Sequence, residues 1–275
     1  TSASDKLTRE IRKSGKVVDA ARGIIEYTVN INQDYAGIIP DKPFIDQYAD
    51  SLSYVEDSFK VELYANLWGD GVKIAEIQGN PDTSVARQLK FDLDISGSGW
   101  EVKDPDNQMG QLYGWGATRI DLFKKTPLWF QGGLKAPNPA LPEYANARGR
   151  LVITYRMQVD SDVILEGENV NLENTASMEG FRSATAYVSY KPKLLDKTCV
   201  KQGNVLKYTI EVNERSLQLS NDGKLNLTDI MTNATPDLGT IKVWNTEENK
   251  EVPSQSWSVK YNGSNKLEFT LPDAT

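Results

Sequence analysis

Residues 24–32 read Ile24-Ile25-Glu26-Tyr27-Thr28-Val29-Asn30-Ile31-Asn32, and residues 206–213 read Leu206-Lys207-Tyr208-Thr209-Ile210-Glu211-Val212-Asn213. Both alternate large apolar and polar side chains over most of their length. That is the period of a strand with one face in a core and the other in water. Side by side they are IEYTVNIN and LKYTIEVN, nearly one strand written twice. The flanks repeat too. Upstream stand Lys13-Ser14-Gly15 and Lys197-Thr198-Cys199, each a Lys-Ser/Thr step followed by a short spacer. Downstream stand short segments with an acid near the end, Tyr54-Val55-Glu56-Asp57 and Leu225-Asn226-Leu227-Thr228-Asp229. Three features in one order, found twice, predict an internal duplication.

Further strands are expected over Lys60–Leu67, Gln88–Ile95, Leu151–Val159 and Ala184–Tyr190 in the first part. In the second they are expected over Gly239–Trp244, Ser256–Tyr261 and Lys266–Leu271. Turn residues separate them, as in Trp68-Gly69-Asp70-Gly71, Asn221-Asp222-Gly223 and Asn262-Gly263-Ser264. Helical periodicity is weak, with a short helix suggested only around Phe44–Ser53. The expected fold is all-β, two tandem immunoglobulin-like β-sandwich domains. Lys191-Pro192-Lys193 marks the joint, which puts one domain at 1–191 and the second at 192–275. The first carries an insertion over about 100–144, rich in Gly, Pro and aromatic residues. The second is expected to be truncated at its C-terminal strand, because nothing after Leu271 matches Leu151–Val159 or the region of Asn174 in the first copy.

Composition narrows the function. Of 275 residues, 39% are hydrophobic and 25% charged, a globular balance, and the net charge is −7. No basic stripe is present for nucleic acid and no polybasic patch for anionic lipid. There is no histidine, which excludes His-based zinc sites and Ser-His or Cys-His nucleophiles. One cysteine, Cys199, precludes an intramolecular disulfide, which taken alone points to a cytosolic protein. No apolar run reaches transmembrane length, so no direct membrane insertion is expected. The first residues do not read as a signal peptide. Asp- and Asn-rich turns such as Asp104-Pro105-Asp106-Asn107 lack EF-hand spacing, and no metal or cofactor is expected.

The ordered motifs resemble the isopeptide-forming, collagen-adhesin-type domains of Gram-positive surface adhesins and fimbrial or pilin proteins. Lys13-Ser14-Gly15, the strand at Tyr27–Asn32 and the acid step Val55-Glu56-Asp57 are followed by Ile153-Thr154-Tyr155-Arg156-Met157-Gln158-Val159 and Asn174-Thr175-Ala176. All occur in that family's order. The similarity covers the framework of the first domain and the front half of the second, but not the aromatic insertion. It implies an autocatalytic bond between a lysine amine and an asparagine amide, promoted by a buried acid. Lysine must be neutral to attack, and burial disfavours its charge. A carboxyl group held protonated in the same core can stabilise the developing oxyanion.

Carried over by position, the cross-linking pair is Lys13 and Asn174, with Lys16 and Asn171 as competitors. The promoting acid is Asp57, with Glu56 as its competitor on the opposite strand face. In the second copy the equivalents are Lys197, an unpaired nucleophile, and Asp229. No cross-link is expected there, and Cys199 stands where the family has glycine. The resemblance further implies an extracellular, cell-wall-anchored protein whose anchor lies outside this fragment. Its partners would be a host or partner-cell protein or glycan, or neighbouring subunits of the same fibre. It would not be an enzyme, beyond one self-cross-linking turnover. Trp115 and Trp129 could line a ligand surface or pack the insertion onto its own sandwich. If they bind sugar, the alternative is a carbohydrate-binding module of an extracellular enzyme.

Overall fold

The computed structural model describes residues 9–35, 42–65, 72–92, 101–103 and 149–273. The chain divides into two compact units, Thr1–Lys193 and Leu194–Thr275.

The first unit is built from strands β1 (Ile11–Asp19), β2 (Ile24–Ile31), β3 (Phe44–Tyr48), β4 (Leu52–Tyr54), β5 (Lys60–Ala65) and β6 (Val72–Gln78). They are followed by β7 (Gln88–Phe91), β8 (Glu101–Lys103), β9 (Gly149–Val159), β10 (Val170–Ser177) and β11 (Ala184–Tyr190). A short helix, α1 (Ser161–Glu166), links β9 to β10. One sheet runs β1-β2-β9-β5-β6-β8, with β4 also on β9, and the other runs β11-β10-β3-β7.

The two sheets form a sandwich because their strands alternate as half-buried strands must. In β2 the inward set is Ile25, Tyr27, Val29 and Ile31, and in β9 it is Leu151, Ile153, Tyr155, Met157 and Val159, all fully buried. The pair is in register, with Tyr27 opposite Tyr155 and Val29 opposite Ile153. The second sheet answers with Phe44, Leu89, Phe91, Leu172, Ala176, Val188 and Tyr190. Two of its inward positions are polar, Asp46 and Asn174, and both are fully buried.

The second unit contains β12 (Leu195–Gln202), β13 (Val205–Val212), β14 (Lys224–Ile230), β15 (Trp244–Asn245), β16 (Lys250–Glu251), β17 (Ser258–Tyr261) and β18 (Lys266–Pro272). They pair as β12-β13, β14-β18-β17 and β15-β16. Among its described residues Leu267 is the one buried apolar side chain, whereas Val200, Val205, Leu206 and Tyr208 are exposed.

Three local expectations are corrected. The helix suggested over Phe44–Ser53 is two strands, β3 and β4. The segment Phe44-Ile45-Asp46-Gln47-Tyr48 alternates in burial, but an aspartate in an inward slot hides the period. The strand expected at Tyr54–Asp57 ends at Tyr54, and the chain then turns, with Asp57 in the left-handed region at φ 59°. The strand expected over Gly239–Trp244 is a 3-10 turn at Leu238–Thr240 followed by the short β15. There the Asp237 side chain accepts from the Gly239 N–H at 3.1 Å and bends the backbone.

Candidate functional site: a lysine, a carboxyl and an amide sealed between two sheets

Lys13 lies on the edge strand β1, paired with Val29 of β2, and two residues on Gly15 is paired with Tyr27. The pleat sends both positions towards the second sheet. Gly15 is needed for close approach: a Cβ there would lie 2.6 Å from the Tyr27 ring and 2.6 Å from Val188. Asp46 and Asn174 come from adjacent strands of the second sheet. Asp46 is paired with Ala176, and Asn174 with Tyr48. They are diagonal neighbours on the inward face, so their side chains converge.

Lys13 Nζ donates to Asn174 Oδ1 at 2.7 Å, to the Tyr155 hydroxyl at 2.9 Å and to Asp46 Oδ2. Asn174 Nδ2 donates to the same Tyr155 hydroxyl at 3.1 Å. The side chains of Lys13 and Asp46 are both 0% exposed. Tyr27 and Tyr155 stack with centroids 5.7 Å apart, and Phe59 stacks on Tyr155 at 5.9 Å. The amine sits 5.2 Å from the Tyr27 centroid and 5.7 Å from that of Tyr155. One sheet thus supplies the amine and an aromatic wall, and the other supplies the carboxyl and the amide.

The electrostatics follow from the dryness. Burial pulls the Lys13 ammonium down to about 8, against the opposing pull of the Asp46 charge and hydrogen bond. Burial raises the Asp46 carboxyl, partly offset by Lys13 and by hydrogen bonds from its neighbours. Asp46 Oδ1 is buried without a hydrogen-bond partner, a further cost to its charged form. Both shifts favour the neutral pair, a free amine beside a carboxylic acid. The arrangement is a nucleophile in contact with an amide, with an acid able to bond the amide oxygen as charge develops there.

The structure brings Lys13 and Asn174 together and leaves Asp57 outside. Asp57 is exposed, in the turn after β4, where it accepts from Asn80 Nδ2 at 2.8 Å. The carboxyl at the site is Asp46, which the helical reading of Phe44–Ser53 concealed. Glu56 is also exposed. Lys16 is exposed and paired with Glu26 at 3.2 Å, and Asn171 points to solvent. Tyr155 was legible only as part of a strand motif. In the second unit Lys197 donates to Asp229 at 2.5 Å and lies 4.6 Å from the Tyr208 centroid. Trp115 and Trp129 lie outside the described residues. Among the described residues no group of three or more His, Cys, Asp and Glu could hold a metal ion, and no helix is long and apolar enough to cross a membrane.

Fold and cluster together define an all-β sandwich with a lysine, a carboxyl and an asparagine buried between its first strand and a late one. No protein-family model matches the chain, and no curated protein matches it. Solved structures do resemble it. The collagen-binding subdomain of the Enterococcus faecalis surface protein ACE is similar at 8% identity, over 66% of this chain and 95% of that one, with a TM-score of 0.28. A C-terminal fragment of the major pilin GBS80 of Streptococcus agalactiae is similar at 10% identity, over 96% and 79%, with a TM-score of 0.29. The full-length pilus protein RrgB of Streptococcus pneumoniae is similar at 14% identity, over 97% of this chain and 36% of that one, with a TM-score of 0.26.

Proposed function

We propose that this chain is a structural and adhesive module of a Gram-positive cell-surface adhesin or pilus subunit, whose first unit locks itself with an isopeptide bond between Lys13 and Asn174. The observation that carries the reading is the Lys13 amine 2.7 Å from the Asn174 amide oxygen, across a sandwich interior closed to water. The ordered motifs and their resemblance to self-cross-linking surface domains support the setting. The protein's place is then the cell wall exterior, and its partners are host or partner-cell molecules or neighbouring subunits.

A buried ion pair kept only for stability is a poor rival. Well-packed apolar residues of similar volume serve a core as well or better. Reaction gives the cluster a purpose. Lys13 passes a proton to Asp46, and the neutral amine attacks Cγ of Asn174. The new N–C bond forms as the carbonyl electron pair moves to Oδ1, where the Asp46 acid stabilises it. One proton then moves from the lysine nitrogen to Nδ2, the carbonyl reforms, the bond from Cγ to Nδ2 breaks, and the amide nitrogen leaves as ammonia. Folding must come first, because only the sandwich holds the reacting atoms in contact.

Closing a loop between residues 161 positions apart would stabilise the fold by about 5 kcal/mol if it acts as a disulfide does in the chain-entropy model. Such a link would also resist force entering through β1. Intact-mass measurement of the folded chain tests the reading. It predicts a mass short by one ammonia, and a full-sequence mass in the folded protein overturns it.

A further inference from the structure

We propose that the Tyr155 hydroxyl is a catalytic proton relay in this reaction, taking the proton that the Lys13 nitrogen must shed and giving its own to the departing Nδ2 of Asn174. The inference rests on the isopeptide reading and adds a residue that its lysine, acid and amide do not include. The need for a relay is chemical. The tetrahedral adduct carries one proton too many on the lysine nitrogen and one too few on the amide nitrogen. An amide nitrogen leaves readily only as neutral ammonia. In bulk water solvent would move that proton, but here the reacting side chains are fully buried.

One hydroxyl touches both nitrogens. Tyr155 accepts from Lys13 Nζ at 2.9 Å and from Asn174 Nδ2 at 3.1 Å. The hydroxyl of Tyr27, from the facing member of the stacked pair, also approaches the Asn174 amide. Tyr155 is also held still. It is fully buried in the middle of β9, its backbone paired with Tyr27, its ring between those of Tyr27 and Phe59. Burial, followed by the nearby Asp46 charge, raises its pKa well above that of a free phenol. A free phenolate is therefore not an intermediate. The oxygen gains a proton from one nitrogen as it loses its own to the other, and the phenol is regenerated when ammonia leaves. Atoms and charge balance: one N–C bond forms, one breaks, and Tyr155 ends as it began.

The test is the rate at which the full chain, freshly made by cell-free synthesis, loses ammonia as read by intact mass. Tyr155→Phe keeps the ring and removes the relay, and the rate should fall about 100-fold or more. Tyr190→Phe, which removes a buried hydroxyl that donates to the Ala20 carbonyl outside the cluster, should stay within about threefold of wild type. A folded Tyr155→Phe chain that cross-links at the wild-type rate overturns the relay and leaves the isopeptide reading intact. A wild-type chain that never loses ammonia overturns the isopeptide reading itself. If Tyr155→Phe does not fold, Tyr155→3-fluorotyrosine decides, because it preserves the packing and makes the phenol more acidic. The relay predicts a changed rate, and an unchanged one refutes it.

Discussion

Lys13 and Lys197 stand at the same register in two separate hairpins. Each lies two residues before the position paired with a tyrosine, Gly15 opposite Tyr27 and Cys199 opposite Tyr208. Each amine lies over that ring, at 5.2 and 4.6 Å, and each meets an aspartate from a strand outside its hairpin. The environments differ. Lys13 is sealed and touches Asn174, whereas the Lys197 side chain is 34% exposed. Attack needs the amine held against an amide carbonyl, as Lys13 is held against Asn174. The chain should therefore lose a single ammonia. Lys13→Ala should abolish that loss and Lys197→Ala should leave it unchanged, both read by intact mass.

The two candidate acids separate cleanly. Asp46→Ala removes the buried carboxyl beside the amine and should stop the cross-link. Asp57→Asn, in an exposed turn with the left-handed backbone that asparagine tolerates, should leave it complete. Resistance to unfolding on a denaturing gel, together with mass, reports both. A cross-link that survives Asp46→Ala removes Asp46 from the reaction.

Asn174→Ala should yield a folded chain that cannot close the loop. Losing about 5 kcal/mol should lower the melting temperature of the first unit by about 10–20 °C, taking about 2–4 °C per kcal/mol for a unit of this size. Calorimetry on both proteins measures it. Equal melting temperatures would mean that no covalent closure distinguishes them.

The pH profile has a predicted sign. The productive pair, a free amine with a carboxylic acid, holds one proton between its two groups. Above about 8, where burial has brought Lys13, that proton is lost, leaving a carboxylate that cannot support the oxyanion. At acid pH, below the raised Asp46 value, a second proton returns and the amine is blocked. The cross-linking rate should therefore be bell-shaped, with its alkaline limb beginning near 8. A rate that keeps rising into strong alkali would show that the free amine alone is limiting.

Gly15→Ala probes the packing that seats the tyrosine wall. The added methyl would lie 2.6 Å from Tyr27 and Val188, so the Tyr27 ring and the Val188 side chain must shift. Overpacking of this kind costs about 1–3 kcal/mol. Thermal melts in the Asn174→Ala background, where no cross-link masks the loss, should show it.

Much of the fold was legible because alternation is a local property. Ile25, Tyr27, Val29 and Ile31 declare an inward face without reference to any other part of the chain. That same period, repeated at Leu206–Asn213, is what made the duplication visible, and the lysine ahead of each copy could be located by counting back from it. The acid could not be found this way. Asp46 occupies an apolar slot in the five-residue strand β3, so the carboxyl that meets Lys13 is also the residue that breaks the hydrophobic pattern. Asp57 matches the family's acid step at Val55-Glu56-Asp57, yet its backbone turns over and faces water.

The sequence by itself determined that the chain is all-β and that one pattern occurs twice in it, and its family resemblance singled out Lys13 and Asn174. Only the tertiary structure decided which carboxyl joins them and that Tyr155 bridges their nitrogens. Asp46 is 33 positions from Lys13, Tyr155 is 142 and Asn174 is 161. Their encounter depends on how two sheets pack face to face. Strand periodicity fixes which way a side chain points, but the partner it meets across a sandwich is set by register and sheet order, which are non-local.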